Sequence, residues 1–240
     1  MKKNIILKGN ICYSIDSSRI IIKENAFLIC RDGKSEGVFE QIPEEYQNFE
    51  VKDYGECLII PGCVDLHLHA SQFAFRGFGM DLELLDWLDT ITFPEEAQYR
   101  EISYAERAYR IFADTIKKSE TTRAVIFGTI HTDATIQLMD EMEKTGIKTY
   151  VGKVNMDRNA PDILCEENAG ISLEETEKWI EKTSERYNNV KPILTPRFVP
   201  SCSDELLCGI GKLQKKYGIP LQSHLSENPS EVSWVRELHP

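Results

Sequence analysis

Long apolar runs, paired cysteine spacings and surplus positive charge are all missing from this 240-residue sequence. No stretch approaches the ~20 apolar residues that a membrane-spanning helix needs. Met1-Lys2-Lys3, followed by Asn4-Ile5-Ile6-Leu7, is basic but leads into no sustained apolar core and no small-residue cleavage site. A cytoplasmic protein without a membrane partner is therefore expected. The seven cysteines (Cys12, Cys30, Cys57, Cys63, Cys165, Cys202, Cys208) are odd in number, and no two form Cys-x-x-Cys, so neither a zinc ribbon nor a disulfide framework is supported. Lys and Arg total 28 against 39 Asp and Glu, a formal net charge of −11, which argues against nucleic-acid and anionic-membrane surfaces. That charge leaves a neutral small-molecule substrate open.

What is present is ordinary for a globular protein: 41% hydrophobic and 28% charged residues. The length suits one large domain, or one plus a small one. Residues 1–57 read as a small β domain. Its apolar runs are Ile5-Ile6-Leu7, Ile20-Ile21-Ile22 and Ala26 to Cys30, with a turn at Arg31-Asp32-Gly33-Lys34. From Leu58 to Pro240 strands and helices alternate. The strands are expected in the stretch from Leu58 to His69, broken at Pro61-Gly62, and at Thr122–Gly128, Lys148–Val154, Val190–Pro196 and Ile219–His224. Helices are expected over Asp81–Ile91, Pro94–Ser119, Asp133–Thr145, Ser172–Tyr187, Ser203–Tyr217 and from Pro229, with Ser172 and Glu175 spaced as a capping box. Regular alternation implies an α/β fold with parallel strands and crossover helices.

The chemistry concentrates where strands end. In Leu58–Gln72, an apolar run and a Pro-Gly turn lead into Cys63-Val64-Asp65-Leu66-His67-Leu68-His69. Side chains two apart on a strand share a face, so His67 and His69 aim two imidazoles at one point. An alternating half-polar strand produces the same pattern without a metal, and the motif alone does not decide. Of the five histidines, His224 closes the last expected strand, where it reads either as a third nitrogen completing the ligand set of a catalytic zinc site or as a satisfied histidine at a strand end. Three residues on, Glu227 is placed to carry a proton between water and substrate, or to serve only as a first-turn helix acid. Arg197-Phe198 and Gln72 suit a flat heterocycle, through a guanidinium fork, an aromatic face and a side-chain amide; a surface arginine beside a core phenylalanine is the equal alternative for the first pair. Lys153 reads as solvated or salt-bridged, His131 as supporting or structural, and His239 as surface.

These motifs resemble a known family. Pro61 to His69 is similar to the first-strand signature of the amidohydrolase superfamily. His69-Ala70-Ser71-Gln72, Asp81–Leu88, Thr92-Phe93-Pro94-Glu95-Glu96, Ile130–Asp133, Val151–Asp157, Lys191–Phe198 and Gln222–Asn228 resemble its guanine deaminase branch. The resemblance implies a (β/α)8 barrel, here its first five βα units over 58–240, preceded by part of a small β-sandwich. It implies hydrolytic deamination of guanine to xanthine and ammonia in purine breakdown, one Zn2+ with Fe2+ as the alternative, and a homodimer for the complete protein. The implied metal ligands are His67, His69 and His224. The implied substrate-binding residues are His69, Ala70, Ser71, Gln72, Arg197, Phe198, His224 and Glu227, with Glu227 also catalytic. Other deaminases or chlorohydrolases of the superfamily, acting on cytosine, triazine or adenine-like rings, are the alternative enzymes. A self-associating, non-catalytic fragment is the alternative of another class.

The family's site also calls for a sixth-strand histidine and an eighth-strand aspartate, which this sequence does not supply. The expectation is an incomplete chain, inactive by itself. Nucleic-acid-editing zinc deaminases are set aside, because their His-x-Glu with Pro-Cys-x-x-Cys is absent.

Overall fold

The computed structural model describes residues Asn4–Pro240; the amino-terminal Met1-Lys2-Lys3 reading lies outside the described residues. The chain divides into two compact units between Gly62 and Cys63. The break falls later than the expected 57/58 because Leu58 and Ile59 still pair with Asn10 and Ile11.

The first unit is one four-stranded sheet. It contains β1 (Ile5–Ser14), β2 (Ile20–Arg31), β3 (Lys34–Phe39) and β4 (Glu50–Ile59), in the order β3-β2-β1-β4. The two isoleucine- and alanine-led runs expected between Ile20 and Cys30 are a single strand, with Asn25 at positive φ between them. The β2–β3 turn is Asp32-Gly33, both at positive φ, the tight Asp-Gly geometry that matches strand twist. Ile6, Ile29 and Tyr46 form this unit's buried cluster.

The second unit alternates β and α elements around parallel strands. β5 (Cys63–His69) runs into a 3-10 helix at Ala70–Phe75. Next come α1 (Leu84–Trp87), a π-helical turn at Leu88–Thr92, α2 (Phe93–Ala97) and α3 (Ile102–Ile116). The single helix expected over Pro94–Ser119 is thus two helices. Glu101, in an extended conformation (φ −81°, ψ 109°), separates them. The chain continues through β6 (Thr121–Phe127), α4 (Thr132–Thr145), β7 (Lys148–Gly152), β8 (Val154–Asn155) and α5 (Ala169–Thr183). It closes with β9 (Val190–Pro192), β10 (Thr195–Pro196), α6 (Asp204–Tyr217) and α7 (Pro229–Leu238).

Strands β5-β6-β7-β9 form one parallel sheet, and β8 pairs with β10 in parallel. A Cβ on Gly152 would run into the Thr195 side chain, so glycine lets the two chain segments approach here. The fifth expected strand, Ile219–His224, is reduced to two parallel bridges, Leu194 with Leu221 and Phe198 with His224. Pro220 lacks an N–H to donate to a ladder, and the pairing consists of Leu194 N–H donating to the Pro220 carbonyl, Gln222 N–H to Leu194 and His224 N–H to Arg197. The expected Ser172–Glu175 capping box is also corrected. Asn168 caps α5, its Oδ1 accepting from Ile171 N, and Ser172 is buried one turn inside.

The core lies between the sheet and α3 to α6. Tyr109, Phe112, Met139, Met142, Trp179 and Ile180 pack against Ile126, Val151 and Leu194. Because the strands are parallel, their carboxyl ends gather on one side, and every residue of the site below sits on that side.

Candidate metal centre and binding cavity

Three imidazoles converge at the strand ends. The ligand-capable atoms of His67, His69 and His224 lie within 4.8 Å of one another. The alternation of β5 brings the His67 and His69 ring centres to 5.1 Å, and His224 stands 4.9 and 5.0 Å from them. Phe127, at the end of β6, stacks under His69 at 4.4 Å and 15° and lies 4.5 Å from His224. His69 and Phe127 are register partners in the β5–β6 ladder, which explains the alignment.

Protonation favours a cation here. His224 Nδ1 lies 2.7 Å from the Arg197 carbonyl oxygen. A carbonyl only accepts, so Nδ1 carries the hydrogen and Nε2 keeps its lone pair. Burial, helped by the Arg197 and His67 charges, holds the His224 pKa down at about 4 despite that bond. Burial, then the charges of Arg197, His224 and His67, pushes His69 well below the usual imidazole range. Both rings are therefore neutral donors near neutral pH. Their Nε2 atoms stand 3.0 Å apart, close to the roughly 3.3 Å between two nitrogens on one tetrahedral zinc. The donor set fits a borderline-soft divalent cation.

Beside the imidazoles is a cavity of about 200 Å³ lined by His67, His69, Gln72, Leu84, Trp87, Leu88, Arg197, Phe198, His224 and Glu227. That volume is below the range typical of drug-sized ligands and suits one small heterocycle. Gln72 comes from the 3-10 helix after β5, and Arg197-Phe198 from the exit of β10. Glu227 follows Ser226, which adopts a left-handed φ of 55°. Of the residues anticipated from sequence, His67, His69, Gln72, Arg197, Phe198, His224 and Glu227 are brought together. Ala70 and Ser71 are buried next to the cavity but do not line it.

Lys153 does not join the centre. It is 1% exposed and ion-paired at 2.6 Å with Glu166, which also accepts from Met156 N and Ser172 Oγ. It is salt-bridged as one expectation had it, yet fully buried. His131 precedes α4, with its pKa lowered by burial, and His239 is exposed near Asp204.

Two carboxylates went unassigned in the sequence. Glu96, on α2, is 1% exposed and pairs with Arg197, Nη1 to Oε2 at 2.6 Å and Nη2 to Oε1 at 3.3 Å. Glu231, on α7, accepts from the backbone N–H groups of Ser226 (3.1 Å) and Glu227 (2.6 Å) while Asn228 caps the helix. Asn228 with Glu231 has capping-box spacing, and that was the available signal for the second.

The amidohydrolase family model matches residues 58–240. The chain is 33% identical to a guanine deaminase of Dictyostelium discoideum over 264 residues, covering 100% of this chain and 58% of that protein. It is 43% identical to the human guanine deaminase over 182 residues, covering 75% of this chain and 40% of that protein. A crystal structure of guanine deaminase from C. acetobutylicum with bound guanine superposes with a TM-score of 0.93 at 46% identity, over 99% of this chain and 56% of that one. The chain spans about half the length of the curated relatives it matches. It belongs to the amidohydrolase family.

Proposed function

We propose that the protein carrying this chain is a metal-dependent hydrolase that removes the 2-amino group of guanine, giving xanthine and ammonia. The observation that carries this reading is the meeting of three imidazoles with Arg197, Gln72 and Phe198 around one small cavity. The guanine deaminases among its relatives support the choice of base. We read the parallel sheet as the opening strands of a (β/α)8 barrel and the first unit as part of a β-sandwich. We place the enzyme in cytoplasmic purine breakdown, as a homodimer.

His67, His69 and His224 are the residues that would hold zinc. When bound, such an ion acts as a Lewis acid that makes water a competent nucleophile near neutral pH. The protein's own groups do the rest. Arg197 donates to acceptors on the purine edge, Gln72 meets the same edge, and Phe198 offers a ring face. Leu84, Trp87 and Leu88 exclude bulk solvent, which strengthens each polar contact inside. The water oxygen adds to C2 of the ring, the exocyclic C–N bond breaks, and the amine leaves as ammonia. Glu227 moves one proton from the attacking water to a ring nitrogen, and the second, from the hydroxyl formed at C2, to the amine as its C–N bond breaks.

The test is turnover on a panel of guanine, cytosine, adenine and a chlorotriazine, followed by ammonia release. Guanine is expected to give the highest kcat/KM. Preference for any other ring would overturn the assignment of substrate.

A further inference from the structure

We propose that Glu96 is the positioning residue that makes the cavity read a lactam edge, an N–H beside a C=O, in preference to an amidine edge; this rests on the purine reading above. The Glu96 carboxylate is a hub for three segments. Its Oε2 accepts from Arg197 Nη1 at 2.6 Å. Its Oε1 accepts from Arg197 Nη2 at 3.3 Å, Ser71 Oγ at 3.2 Å and Gln72 Nε2 at 3.4 Å. One turn back on α2, the Phe93 ring lies 5.1 Å beneath the Arg197 guanidinium. The short helix thus seats the arginine from below with Phe93 and from the side with Glu96.

An ionised carboxylate has no hydrogen to donate. The amide of Gln72 must therefore turn its NH2 toward Glu96, and its carbonyl oxygen is the acceptor it offers a ligand. Arg197, bound to the same carboxylate along one side, keeps only N–H donors for that ligand. The cavity consequently shows an acceptor from Gln72 and donors from Arg197. A ring edge with an N–H for the first and a C=O for the second satisfies both. Guanine carries that edge at N1 and C6. A purine with an amine at C6 and a bare N1 presents the inverse pattern, and buried polar groups left unpaired reject such analogues strongly. With glutamine at position 96 the neighbour can either donate or accept, so the Gln72 amide is free to turn over and the discrimination is lost.

The experiment uses the metal-loaded enzyme and its Glu96→Gln variant. The Ki of 2,6-diaminopurine as a competitor is measured against the KM for guanine, together with thermal unfolding and metal content. The Ki/KM ratio is expected to fall about tenfold or more in the variant, with metal content unchanged. A ratio unchanged in a folded, metal-loaded variant overturns the proposal, since a merely structural Glu96 would alter unfolding and leave the ratio alone. Should Glu96→Gln not fold, Glu96→Asp keeps the charge while drawing the carboxylate back, and a smaller fall in the ratio is expected; no fall overturns it. A wild-type enzyme that turned over no guanine would sink the substrate reading instead. Ligand-free crystals of Glu96→Gln then decide the role of Glu96: a displaced Arg197 or an inverted Gln72 amide sustains it, and both in their original positions overturn it.

Discussion

The Arg197 carbonyl oxygen accepts from His224 Nδ1 at 2.7 Å, while the same residue's guanidinium is held by Glu96. One residue thus orients an imidazole of the candidate metal centre through its backbone and lines the cavity through its side chain. The imidazole cluster and the cavity are coupled at Arg197.

If the centre is the His67–His69–His224 cluster, removing one of its nitrogens should strip the metal. His69→Ala and His224→Ala are expected to weaken zinc binding by more than the ~10–100-fold typical of lost supporting contacts. His131→Ala, outside the cluster, should leave the zinc content of the purified protein unchanged. Metal analysis after dialysis against a weak chelator checks this, and loss of zinc in His131→Ala would count against the ligand assignment.

Glu231 holds the loop that carries Glu227, accepting from two consecutive N–H groups where Ser226 is in a left-handed conformation. Glu231→Ala should cost about 1 kcal/mol of stability, as a lost cap does. On the proposed mechanism it should also lower kcat more than it raises KM for guanine, because Glu227 is then misplaced while the base still binds. Steady-state kinetics and urea unfolding test the pair. An effect confined to stability would show that the loop holds its shape without Glu231.

Lys153 and Glu166 form a buried pair, 1% and 9% exposed at their side chains. Lys153→Met leaves the Glu166 charge without its cation and is expected to cost about 3–5 kcal/mol. Removing both charges, with Glu166→Gln added, should recover part of that loss. Chemical denaturation of the single and double variants measures it, and a single variant as stable as wild type would contradict the pairing.

Cys202 is buried, and that burial pushes its thiol up to about 11. Thiols react as thiolates, so at pH 8 Cys202 is protonated and shielded. Cys57, Cys63 and Cys208 are exposed. Iodoacetamide at pH 8 should label those three and spare Cys202, as read by peptide mass mapping. Rapid labelling of Cys202 in folded protein would refute this environment.

The imidazoles and Arg197-Phe198 were legible in the sequence because local rules place them. Strand alternation sets His67 beside His69, and strand ends in a parallel sheet gather on one side. Glu96 was not legible, since its partners are 24, 25 and 101 residues away and only the folded chain joins them. The helix over Pro94–Ser119 was overextended because nothing local marks the extended Glu101. The Ile219–His224 strand pairs less than Ile219 and Leu221 suggest, because Pro220 has no N–H for a ladder and the backbone forms only isolated bridges. Lys153 read as solvated or salt-bridged because its counter-ion, Glu166, lies thirteen positions on and comes close only through folding.

The most direct test of the centre is X-ray absorption at the zinc edge, comparing the loaded protein with a variant in which His67, His69 and His224 are all alanine. The wild type should show imidazole scattering with nitrogen at ~2.0–2.1 Å and no sulfur, and the variant should lose that signal. Sulfur at ~2.3 Å, or an imidazole pattern that survives in the variant, would contradict it.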